Sequence, residues 1–72
     1  MPGQVADAIA HYEAAVRIRP DFLEAHNNLA VYYSETGRLD DAIDQLEIAA
    51  RLDPGSTAIR DSLERMKARR KQ

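Results

Sequence analysis

The sequence predicts an all-α fold of four helices, each antiparallel to the one before it. Three observations carry that expectation. The chain resembles itself at an offset of 34 residues. Apolar side chains recur every three or four positions along most of it. Pro, Gly and capping residues divide these runs into segments of helical length, joined by two to five residues, and connections that short force neighbouring helices to pack antiparallel.

The self-similarity is specific. An offset of 34 pairs Gly3 with Gly37, Asp7 with Asp41, Ala8 with Ala42 and Ile9 with Ile43. It also pairs Glu13 with Glu47, Ala15 with Ala49, Arg17 with Arg51, Pro20 with Pro54 and Leu29 with Leu63. These nine identities fall in 38 overlapping positions, where composition alone gives roughly three.

The first helix is expected from about Gln4 to Arg19, with Val5, Ile9, Tyr12 and Val16 as its apolar stripe. Arg17 and Arg19 suit the negative end of its dipole, and Pro20 stops it. Asp21 is the expected cap of the second helix, with Glu24 as its capping-box partner. That helix is expected over about Phe22 to Glu35, with Leu23, Ala25, Leu29, Ala30, Tyr32 and Tyr33 apolar, ending at a left-handed Gly37. The third is expected over Leu39 to Leu52, with Asp40 and Asp41 in its first turn. Its buried face is Leu39, Ala42, Ile43, Leu46, Ala49, Ala50 and Leu52. Pro54 and Gly55 end it, and Ser56 caps a fourth helix over 57–70.

Residues His26, Leu29, Ala30, Tyr33, Ala42, Leu46, Ala49 and Pro54 stand at the spacing of a known 34-residue helix–turn–helix pattern. The chain thus resembles the tetratricopeptide repeat family over nearly its whole length, as about two repeats. It departs from the pattern at His26, Ala30 and Leu46, which replace Trp, Gly and an aromatic residue. The resemblance implies a short right-handed solenoid forming one module, residues 1–72. Within it, helix 4–19 is of the second type, 23–56 is the complete repeat and 57–70 is a C-terminal cap. In the cap, Arg60, Glu64 and Lys67 replace His26, Ala30 and Tyr33 one period on. Charge at a close-packing position argues against a further packed repeat and for a solvated end.

The resemblance also implies a protein or peptide as partner, held on the concave surface made by the first-type helices. The matching positions are Glu24, Asn27, Asn28, Val31, Ser34 and Glu35, continued by Ala58, Asp61 and Arg65. The competing reading of these residues is a plain solvated face. The carboxylate clamp known in the family is not expected, because it needs lysine and asparagine where this chain has Asn27 and Val31, and basic groups at Ala58 and Ser62. The alternative function is structural: a homodimer in which Val5, Ile9, Tyr12 and Val16 of the first helix, or an exchange of helices, form the interface.

Composition narrows the rest. A net charge of -2 argues against nucleic acid or an anionic membrane as partner. The basic end, Arg65, Lys67, Arg69, Arg70 and Lys71, has no interleaved aromatic residues. There is no Cys, and His11 and His26 lie on different helices, so neither a metal site nor a thiol nucleophile is expected. Asp40, Asp41, Asp44 and Glu47 read as a solvated face. No catalytic residues and no cofactor are expected. The start, MPGQVADAIA, lacks the basic and apolar regions of a signal peptide, so a soluble, cytoplasmic protein is the expectation.

Overall fold

The computed structural model describes residues 2–71. It contains α1 (Pro2–Ile18), α2 (Leu23–Glu35), α3 (Leu39–Leu52) and α4 (Thr57–Arg70). Each helix packs on the next in chain order, giving a flat stack of 30 × 30 × 15 Å. No strand occurs among the described residues. The termini of the expected module, Met1 and Gln72, lie outside the described residues.

Local chemistry sets most boundaries. Gly37 has φ +81°, where a Cβ is strained. Its N–H donates to Ser34 O at 3.2 Å and that of Arg38 to Tyr33 O at 2.8 Å, the bond pair of a Schellman turn. Ser56 accepts from the Ile59 N–H at 3.2 Å and caps α4 as expected. The start of α2 differs from expectation. Phe22, not Asp21, is the cap residue, and no side chain caps this end. The Phe22 carbonyl already accepts from the N–H groups of Ala25 and His26. Asp21 therefore lies one residue outside, in a turn closed by Phe22 N–H on Arg19 O at 3.0 Å. Glu24 is then in the wrong register for a capping box. The first helix also begins two residues earlier than expected, at Pro2, and ends at Ile18. A proline is compatible with a first turn, whose N–H groups lack partners anyway.

The core is Ile9, Leu29, Ala30, Tyr33, Ala42 and Leu46, with Val5, Tyr12, Val16, Tyr32, Leu63 and Met66 packed against it. Ala25, Ala42 and Ala49 have no exposed surface, so the helix axes approach closely there. Tyr12 and Tyr32 stack at 5.9 Å across α1 and α2. Leu52, expected to be buried, is 40% exposed. A three-residue step turns a helix by about 300°, so Leu52 lies about 60° beyond Ala49 and off the buried arc. Ile18 occupies the same repeat position and is exposed as well.

Two polar groups tie the stack together. His26 is buried, with Nε2 2.7 Å from Pro20 O and Nδ1 2.6 Å from Gln45 Oε1. A carbonyl only accepts, so Nε2 carries a hydrogen. In the neutral tautomer Nδ1 then accepts, and the Gln45 amide must turn its NH2 toward the ring. The imidazole joins the α1–α2 turn to α3. Tyr33 donates its O–H to Glu13 Oε2 at 2.5 Å, joining α2 to α1. One period later Lys67 meets Glu47 at 3.8 Å, the same two positions with an ion pair in place of the phenol. The Arg38 guanidinium lies over the Tyr33 ring at 4.2 Å and pairs with Asp41 at 2.9 Å.

Candidate functional site

The first-type helices, α2 and α4, run in the same direction and flank a groove of about 340 Å³. Its walls are Asn27, Val31 and Ser34 from α2, with Ala58, Ser62 and Arg65 from α4. Its floor is apolar: Ala30, Leu46, Ile59 and Met66. Leu46 and Ile59 are buried, whereas Val31 on the wall is 50% exposed. A large apolar side chain beside an apolar floor is surface that gains from cover by a ligand.

The polar groups on the walls retain bonding capacity. Ser34 Oγ donates to Val31 O at 2.8 Å and keeps lone pairs free to accept. Arg65 uses one N–H on Ser62 Oγ at 3.1 Å, which leaves four donors. Among the residues lining the groove Arg65 alone is charged. This arrangement can hold backbone amides and apolar side chains of an extended segment.

Of the six positions expected on the concave surface, Asn27, Val31 and Ser34 line the groove together. Asn28 is half-buried and Glu24 is exposed, and neither lines it. Glu35 lies elsewhere, on a second cleft of about 370 Å³ where the start of α1 meets the end of α2. That cleft is lined by Val5, Ala6, Ile9, Glu35, Thr36 and Arg38. Of the continuation, Ala58 and Arg65 line the groove and Asp61 does not. Ser62, the position where a carboxylate clamp needs a basic group, lines the groove too, and Ile59 and Met66, which are not among the expected positions, join it because their i, i+3, i+4 spacing with Ala58, Ser62 and Arg65 marks one face of α4.

The stripe Val5, Ile9, Tyr12 and Val16 faces α2: Ile9 is 9% exposed within the core and the others are half-buried. The 34-residue offset shows which part of α1 stays open. Ala42, Leu46 and Ala49 are buried in α3, which packs on both α2 and α4, while their counterparts Ala8, Tyr12 and Ala15 in α1, which packs on α2, are only half-buried.

Burial pushes the Tyr33 hydroxyl up to about 12, and the hydrogen bond to the Glu13 carboxylate adds to the shift. No group of three His, Asp or Glu side chains among the described residues is gathered closely enough to hold a metal ion. No described helix is long and apolar enough to cross a membrane.

A family model described as tetratricopeptide repeat matches residues 3–57. No curated protein matches the chain.

Proposed function

The chain belongs to the tetratricopeptide repeat family, whose repeats generally serve protein–protein interaction, and on that footing we propose that it binds an extended peptide or partner helix in the α2–α4 groove. Catalysis plays no part in this reading. The single observation that carries it is the groove itself: an apolar floor, an exposed Val31, and unspent hydrogen-bonding groups on Asn27, Ser34 and Arg65. Peptides selected against the intact protein from a displayed library test it. Val31→Asp places an unpaired charge on the wall and is expected to weaken selected ligands roughly ten-fold or more. Asn28→Ala, off the groove, is the matched control and is expected to change nothing. Ligands that bind the Val31→Asp protein as tightly as the original would remove the groove from the reading.

A second reading, self-association through α1, rests on the half-open Ala8, Tyr12 and Ala15, whose counterparts one period on are covered by a helix. In this reading a second copy supplies that cover, and Val5, Ile9, Tyr12 and Val16 lie at or beneath the contact. Sedimentation decides it. Ala8→Glu is expected to turn a dimer into a monomer, and an original protein that sediments as a monomer at high concentration would overturn it.

A further inference from the structure

The cleft between α1 and α2 shares no residue with the α2–α4 groove. Its chemistry follows from the internal repeat. An offset of 34 carries Ala6 and Thr36 onto Asp40 and Arg70. At the α3–α4 corner those two residues bridge, Arg70 Nη1 to Asp40 Oδ1 at 3.1 Å. At the α1–α2 corner both charged partners are absent, and a cleft stands in their place, floored by Val5, Ala6 and Ile9.

The electrostatics of that corner call for a cation. The carbonyl end of a helix carries partial negative charge and favours basic side chains. The last turn of α1 has Arg17, that of α3 has Arg51, and that of α4 has Lys67, Arg69 and Arg70. The last turn of α2 has no basic residue and ends on Glu35, so two negative contributions meet there. Glu35 forms no ion pair among the described residues. The one cation on the rim, Arg38, is already committed to Asp41 and to the face of Tyr33. It forms no ion pair with Glu35.

We propose that this corner cleft receives an arginine side chain from a partner protein, its aliphatic stem on Val5, Ala6 and Ile9 and its guanidinium on Glu35. The side chain would take the place that Arg70 occupies one period later. Arginine suits the site better than lysine, because its planar fork can meet the carboxylate with two hydrogen bonds while its stem covers apolar surface.

The test uses the intact protein and a capped Ala-Arg-Ala peptide, followed by NMR. Saturable shifts are expected at the Val5 and Ile9 methyl groups and the Thr36 amide. Replacing the arginine by neutral, near-isosteric citrulline is expected to weaken binding about five-fold, the scale of an exposed ion pair. Glu35→Gln is expected to weaken the arginine peptide by the same factor. The double variant Ala6→Asp/Thr36→Arg recreates the bridge of the other corner. It is expected to keep its helical circular dichroism and lose the Val5 and Ile9 shifts. Equal binding of citrulline, indifference to Glu35→Gln, or shifts centred on Val31 and Ala58 would each overturn the proposal. So would concentration-dependent shifts of the same methyl groups without peptide, since those would assign the cleft to a second copy.

Discussion

Replacing Tyr33 by Phe removes one oxygen from the α1–α2 interface and leaves the ring beneath Arg38. The lost contact is the hydrogen bond to Glu13, with a charged acceptor. Bonds of that class are worth about 1.5–3 kcal/mol. Glu13 is only half-buried, so water can reach the vacated carboxylate, and the lower end applies, about 1.5 kcal/mol. In a domain of this size that shifts Tm by roughly 6–12 °C. A second signature is pH dependence. The Tyr33 hydroxyl is held at about 12, above the usual 10. A raised folded-state value means that its contribution is fully present below pH 10 and is lost as pH rises through 12. The original protein is therefore expected to lose its advantage over Tyr33→Phe across that window, while the gap stays constant at lower pH. Thermal unfolding by circular dichroism reads the first effect, and ultraviolet titration of tyrosinate reads the second. A variant with unchanged Tm, or a late-ionising tyrosine that persists in it, would refute the reasoning.

The two expected helix caps separate in experiment. Ser56→Ala should cost about 1 kcal/mol in urea unfolding, because Ile59 N–H loses its acceptor. Asp21→Ala should stay within about 0.5 kcal/mol, because Asp21 caps nothing, and a loss equal to that of Ser56→Ala would restore the capping box. His26→Ala deletes a buried ring and both of its hydrogen bonds, and about 2–4 kcal/mol is expected to be lost. A loss below about 1 kcal/mol would show that Gln45 and Pro20 are satisfied without it.

The α3 and α4 boundaries, the left-handed Gly37 and the Ser56 cap were all readable from residue order, because each depends on atoms within about one helical turn. The 34-residue period showed in the same way that helices of one type recur and which faces they bury. Asp21 failed as a cap through a shift of one residue, which the Arg19–Phe22 turn decided. Half of the concave-surface residues, Asn27, Val31 and Ser34, were readable as groove walls. Glu24, Asn28 and Glu35 were not separable from them, since helical spacing names a face while a groove also needs the neighbouring helix in place.

By itself, then, the sequence determined four helices, their order and the face each turns inward, because those follow from periodicity and local backbone chemistry. Tertiary structure alone decided the pairings: His26 with Gln45 and Pro20, Tyr33 with Glu13, and an open corner where Ala6 and Thr36 replace the Asp40–Arg70 bridge. The residues in each pairing belong to different segments of the chain, and whether they meet depends on how far each helix is turned and shifted against its neighbour. Close packing of the whole stack sets that quantity, and no local pattern encodes it.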